Sequence, residues 1–394
     1  MNVLLLFLAL VGHGVLWVAL INRIHAQGWP RRLINVLTVA CFAALFLIPL
    51  AFGAWLLLRG ASVPTTLELA ALKRPGVLAA FLYAMACWLG AGMVIHDWVW
   101  RHVLHRPPAV LRFHRSRKVA LSPPRPDHED HAHHPLVRMP GNESLRLELT
   151  ERAVSMSRLP PALDGLAIVH ISDFHFSGRV GKAYFQEIVR ASNELEPDLV
   201  AVTGDLVDSS RCIDWIPDTL GRLRGRHGVY FILGNHDVGH HIDTPRLLKV
   251  CQESGMVYLG GRWLKLTLRG REVLLAGNEL PWLPTAADMR DCPPRDGGPL
   301  RIIFSHSPDQ LQWARANDAD LMLAGHTHGG QIRLPLIGPI FSPSRMGVRY
   351  ASGLFHAPPT ILHVSRGVSG KLPVRMNCPP EMTHLVLHVA GGPH

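Results

Sequence analysis

Apolar residues crowd the first hundred positions and afterwards come only in short bursts between charged and turn-forming residues. Three early stretches, residues 3–21, 33–58 and 77–100, are each long enough to cross about 30 Å of hydrocarbon as a helix. Beyond residue 143 the pattern changes to an alternation of buried strands with amphipathic helices. Apolar runs fall at 166–171, 199–202, 229–233, 273–276, 302–304, 321–324, 361–364 and 385–389. Helical periodicity falls at 182–195, 245–251 and 308–316. This alternation predicts an α/β domain, in which ligand sites gather just past the carboxyl ends of the strands.

The three long stretches read as a membrane anchor. His13 lies in the first and reads as a tolerated helix histidine. His96 and Asp97 end the third beside Trp98 and Trp100 and read as an interfacial cap rather than an ion path. The first stretch lacks the basic flank and small-residue site of a cleaved signal peptide. Arg23, Arg31 and Arg32 follow the first span; Arg101, Arg106, Arg112, Arg115, Arg117 and Lys118 follow the third. The loop between the second and third carries Arg59, Lys73 and Arg74, offset by Glu68. The positive-inside rule then puts the first loop and the C-terminal domain on the cytoplasmic side. Residues 101–144, rich in Pro, Arg and His and including His128, His131, His133 and His134, read as a solvated linker.

The polar clusters sit where the apolar runs end. Asp173-Phe-His175 follows the first run, and residues two apart in an extended segment face one side. Gly204-Asp205-Leu-Val-Asp208 follows the second and Gly234-Asn235-His236-Asp237 the third. Ser305-His306 and Gly325-His326-Thr-His328-Gly-Gly-Gln331 close two later runs. Carboxylate, imidazole and amide together suit borderline divalent cations such as Mn, Fe, Zn or Co.

The ordered set D-x-H, GDxxD, GNHD, H and GHTH resembles the calcineurin-like metallophosphoesterases. Leu159-Pro-Pro, Pro197-Asp-Leu-Val, GHTHGGQ and the stretch from Val364-Ser-Arg-Gly367 to Cys378-Pro-Pro-Glu381 look like the bacterial branch of YkuE-type phosphodiesterases. The resemblance spans roughly residues 145–389. Val368-Ser369-Gly370 departs from that branch, which more usually has a second glycine soon after the first. The apolar pattern divides the chain into an anchor of about three transmembrane helices at 1–100, the linker at 101–144 and a domain at 145–394 that reads as a metallophosphoesterase. The likeness, which does not extend to the helices, implies a four-layer αββα sandwich for that domain. It implies two divalent metal ions, one held by Asp173, His175, Asp205 and His328, the other by Asp205, Asn235, His306 and His326. Two such cations lower the pKa of a bound water, and the hydroxide attacks phosphorus in line. His236 then stabilises or protonates the leaving oxygen, with Asp208 orienting its ring.

Composition adds little that redirects this reading. A net charge of +10 comes without a basic stripe interleaved with aromatics, so no nucleic-acid partner is expected. The six cysteines form no CxxC pair and read as reduced thiols. His170 reads as packing within its strand, His240 and His241 as loop residues, and Arg345, Arg349 and Arg366 as solvated surface arginines rather than anion clamps. The expected activity is hydrolysis of a phosphodiester, phosphomonoester or pyrophosphate at a bacterial inner membrane, with the catalytic domain cytoplasmic. The bilayer suggests a phosphorylated, lipid-linked substrate. Likeness to membrane-bound members of the superfamily offers a UDP-diacylglucosamine pyrophosphatase of lipid A synthesis as one candidate. The rival is a non-catalytic membrane sensor or scaffold that retains the metal site.

Overall fold

The computed structural model describes residues 3–59, 75–99, 110–119, 134–239, 241–284, 286–293 and 298–391. Glu68, Lys73, Arg74, Trp100, Arg101, Arg106, His128, His131, His133 and His240 lie outside the described residues. The chain divides into two compact units, Met1–Arg106 and Pro107–His394.

The first unit holds α1 (Val3–His25), α2 (Arg31–Arg59) and α3 (Pro75–Val99). All three are long and apolar enough to cross a membrane. Small residues let α1 and α3 approach closely. A Cβ on Gly12 would fall 1.6 Å from the Cys87 carbonyl oxygen, so only glycine fits there. Polar groups pair between helices: His13 is buried, its Nε2 3.0 Å from the Leu45 carbonyl of α2 and its Nδ1 beside the Tyr83 hydroxyl of α3. Trp17 Nε1 donates to the same hydroxyl at 3.1 Å. His13 thus ties the three helices together.

The strands of the second unit are, in chain order, β1 (Leu111–Lys118), β2 (Glu148–Met156), β3 (Leu166–Ile171), β4 (Leu199–Thr203), β5 (Val229–Ile232), β6 (Val257–Tyr258), β7 (Trp263–Leu268), β8 (Arg271–Asn278), β9 (Leu300–Ser305), β10 (Leu321–Ala324), β11 (Arg333–Leu334), β12 (Gly338–Pro339), β13 (Gly353–Ala357), β14 (Thr360–Val364) and β15 (Glu381–Val389). One sheet runs β1-β2-β15-β3-β4-β5-β6 and a second β13-β14-β10-β9-β8-β7, while β11 and β12 form a separate hairpin. The helices are α4 (Lys182–Asn193), α5 (Thr244–Glu253) and the short α6 (Leu311–Ala316).

Side-chain alternation sorts the layers. In β4, Leu199 and Ala201 join the core between the sheets, with Leu275, Ile302 and Leu323 from the second sheet. Val200 and Val202 point the other way, into a core with Phe185 and Ile188 of α4 and Leu247 of α5. The outer face of the second sheet packs Met322 and Leu362 against Leu311 and Ala314 of α6. Helix, sheet, sheet and helix follow one another as expected.

Within residues 101–144, where a solvated linker was expected, the described residues hold two elements, β1 and a 3-10 turn at Pro135–Arg138. β1 pairs antiparallel with β2, Lys118 opposite Glu148, and the compact unit begins at Pro107. The strand was disguised because six of its eight side chains are exposed. Arginine and lysine on such an edge deter further pairing.

Candidate metal centre

Parallel strands β3, β4 and β5 of the first sheet and β9 and β10 of the second end at one place, and each delivers its polar cluster there. Getting side chains to turn inward at those ends demands unusual backbone. Asp173, His175, Asp205, His326 and His328 all have left-handed φ, between 47° and 69°. Each such residue costs about 1–3 kcal/mol, a price seen mainly at functional sites. Two glycines make the close approach possible. A Cβ on Gly234 would meet Asp205 Oδ1 at 2.2 Å, and one on Gly325 would meet Ser172 Oγ at 1.7 Å.

Asp173, His175, Asp205 and His328 form one group of potential metal donors, and Asp205, His306 and His326 another, each with its donor atoms within 4.8 Å of one another. Asp205 belongs to both: its Oδ2 lies 3.4 Å from His175 Nε2 and 3.2 Å from His306 Nε2. Asn235 Oδ1 lies 3.2 Å from His306 Nε2 and so joins the second group. All seven sequence-predicted donors are brought together.

The histidines are oriented from behind. His306 Nδ1 donates to the Thr203 carbonyl at 2.7 Å, and His328 Nδ1 to the Ser369 carbonyl at 3.2 Å. His175 Nδ1 donates to Asp208 Oδ1 at 3.1 Å. In each case the proton sits on Nδ1 and Nε2 faces the cluster, the arrangement that ligating histidines adopt. His326 Nε2 is buried with no hydrogen-bond partner. An orphaned imidazole nitrogen grouped with the Asp205 carboxylate and the His306 imidazole fits a divalent cation.

Asp208 does more than the sequence indicated. The same Oδ1 that receives His175 also receives His236 Nδ1. His236 is further fixed through its backbone N–H, which donates to Asp205 Oδ1 at 2.8 Å. Burial opposes charge on Asp208, yet the two imidazoles hold its carboxyl well below the usual carboxylate range. Burial likewise opposes charge on His175, but Asp208, Asp205 and Asp173 carry its pKa up to about 9. His306, buried beside Asp205, is also raised to about 9. Burial keeps His236 below the ordinary histidine value.

Several supporting residues at the site carried little or no signal in the sequence. Asp237 accepts from Leu206 N, Val207 N and Gly234 N at 2.8–3.0 Å, lashing the β4 and β5 loops together; its place in GNHD was the one available hint. Trp282 sets its ring 5.4 Å from His306 and 4.6 Å from His326, centroid to centroid. Arg375 is buried and donates to the carbonyls of His328, at 3.2 Å, and Ser369. The atypical Val368-Ser369 segment is pinned to the site, Ser369 N donating to the Asp173 carbonyl at 3.0 Å.

Other expectations change. Arg366 is not a surface arginine: it pairs with Glu148 at 2.6 Å and Glu381 at 3.2 Å, largely buried. His170 keeps its place in β3 while its ring reaches His363 of the facing sheet, Nδ1 to Nδ1 at 2.8 Å. Arg345, Arg349 and His241 are exposed.

This α/β architecture and donor set define a metal-handling hydrolase domain, and comparison with known proteins specifies it. Residues 166–330 match the calcineurin-like phosphoesterase family. The chain is 30% identical over 259 residues to the uncharacterized metallophosphoesterase YkuE of Bacillus subtilis, covering 61% of this chain and 85% of that protein. It is 30% identical over 223 residues to the phosphodiesterase YaeI of Escherichia coli, covering 56% and 81%. A transmembrane protein with metallophosphoesterase domain from Bos taurus is 30% identical over 264 residues, covering 61% and 57%. The chain belongs to the calcineurin-like phosphoesterases. It is a metal-dependent phosphoric ester hydrolase, and its apolar helices make it a membrane protein.

Proposed function

We propose that this chain hydrolyses a phosphodiester, phosphomonoester or pyrophosphate at a dinuclear centre, beside the membrane that holds its helices. Asp173, His175, Asp205 and His328 hold one cation; Asp205, Asn235, His306 and His326 hold the other. The observation that carries this reading is the single oxygen, Asp205 Oδ2, poised between His175 at 3.4 Å and His306 at 3.2 Å. When bound, divalent cations in such a pocket polarise water and the phosphoryl oxygens.

The protein's own groups supply the rest. Asp205 carries its charge because His306, His236 and His175 surround it, outweighing its burial. His236 presents Nε2, since Nδ1 is committed to Asp208. Its side chain is 15% exposed, enough to meet a substrate from solvent. Protonation of the leaving oxygen by such a positioned imidazole contributes about 10²–10⁴ in rate. The name of the YaeI relative favours a phosphodiester. The basic flanks of the helices support a cytoplasmic domain at a bacterial inner membrane, and the anchor supports a lipid-linked substrate such as a UDP-diacylglucosamine.

Hydrolysis of bis-p-nitrophenyl phosphate by the full chain with manganese tests the assignment. Asp205→Ala abolishes turnover and bound metal, whereas His236→Ala keeps the metal and loses about 10²–10⁴ in kcat. An Asp205→Ala enzyme with unchanged metal content and rate overturns the bridging role.

A further inference from the structure

Apolar side chains left in water are normally scattered singly over a soluble surface, and a contiguous group marks a contact. Among the described residues of the second unit, nine large apolar side chains are exposed, and six of them lie within residues 332–346. Ile332, Leu334, Leu336, Ile337 and Phe341 belong to the β11–β12 hairpin and its exit, and Leu336 is 83% exposed at the tip. Leu372 joins them from the neighbouring segment, which is held there because Arg333 N donates to the Met376 carbonyl and Met376 N to the Gln331 carbonyl. Exposed cations lie close by in the chain: Arg345 at the hairpin's exit, Arg349 in the turn that follows it and Lys371 beside Leu372.

The hairpin is fastened to the metal centre at both ends. At its start, Gly330 lies two residues past His328, so close to Pro339 that a Cβ there would fall 2.4 Å away. At its exit, Ser344 Oγ and Arg345 N donate to the Asp309 carboxylate at 2.6 and 2.8 Å, three residues past His306. The apolar tip therefore projects from the rim of the site, on a base that the donor loops hold rigid.

We propose that this hairpin docks the catalytic unit onto the bilayer in which the helices sit, its apolar tip entering the interface and its cations facing anionic headgroups. Helices and catalytic unit belong to one polypeptide, α3 ending at Val99 and β1 beginning at Leu111, so the catalytic unit cannot leave the membrane that holds the helices. Apolar insertion combined with flanking arginine and lysine is the pairing that binds anionic interfaces. The consequence is that the site mouth opens at headgroup level. The proposal rests on the membrane anchor and is independent of the catalytic reading.

The test places a fluorescent label at Leu336→Cys in the full chain, reconstituted into vesicles containing phosphatidylglycerol. Cys292, the one cysteine of the six that is not buried, is replaced by serine. Vesicle flotation first reports the anchor; a chain that does not float overturns both anchor and docking. Docking predicts that brominated acyl chains quench most of the emission at 336. A label at Glu196→Cys, on a side chain 77% exposed, answers to aqueous iodide instead. Iodide quenching at 336 equal to that at 196 overturns the proposal, as does energy transfer between copies, which identifies a second chain as the occupant. If Leu336→Cys does not fold, hydrogen exchange on the unsubstituted chain decides. Slower exchange at 332–341 with phosphatidylglycerol than in pure phosphatidylcholine supports docking, and equal rates overturn it.

Discussion

One carboxylate oxygen, Asp208 Oδ1, orients two imidazoles in different settings: His175, whose Nε2 faces the donor cluster, and His236, whose side chain is 15% exposed. Asp208→Ala accordingly damages two functions at once. Metal affinity falls about 10–100-fold, the usual penalty for removing an outer partner of a ligating histidine, and kcat falls beyond what metal saturation restores. Manganese titration alongside steady-state kinetics separates the two, and an unchanged affinity would confine Asp208 to His236. The seven candidate donors were legible in the sequence because their clusters close recognisable apolar runs, and the family resemblance singled them out within those clusters. Their supports were not. Thr203 and Ser369 act through main-chain carbonyls, which every residue possesses, and Trp282 and Arg375 reach the site only through long-range folding.

At the level of elements, the buried strands were legible from their unbroken apolar runs, and β3 and β10 begin and end where those runs do. β1, β2 and β7 were not: β1 is mostly polar and exposed on both faces, and β2 and β7 mix polar with apolar residues. A charged network compensates at this half-polar region of the sheet. Glu381 at the start of β15 receives Arg152 of β2 and Arg366 after β14, both at 3.2 Å, and Arg366 reaches on to Glu148. Glu381 is 1% exposed, and the two guanidiniums hold its carboxyl well below the usual range despite burial. Breaking a buried pair from one side strands the remaining charges, so Glu381→Gln destabilises the catalytic unit by about 3–5 kcal/mol. Thermal unfolding of the full chain in detergent measures this, and an unaltered midpoint would mean that the network contributes nothing.

For the molecule as a whole, protons and metal compete for one pocket. Without metal, His175 and His306 have pKa values raised to about 9 against an unfolded value of 6.5. A raised histidine stabilises the fold fully below its unfolded pKa, and that contribution is lost as pH rises through the folded one. Metal-free protein therefore weakens between about pH 6.5 and 9, while metal loading, which must expel these protons, strengthens over the same interval. The difference in unfolding midpoint between manganese-loaded and EDTA-treated protein thus widens from pH 6.5 to 9. Proton release on manganese binding at pH 7, read by calorimetry in buffers of different ionisation enthalpy, gives the same linkage directly. A constant midpoint difference and no released protons would contradict it.

Strand order has a bearing on biosynthesis. β15 lies between β2 and β3, so the first sheet acquires an inner member from the end of the described chain. During synthesis, the apolar helices are committed to the lipid long before this sheet can close, and β2 and β3 keep open edges until residue 389 has left the ribosome. A message cut short ahead of Glu381 would yield an inserted polypeptide with a sheet split down its middle, ready prey for membrane proteases rather than a trimmed enzyme.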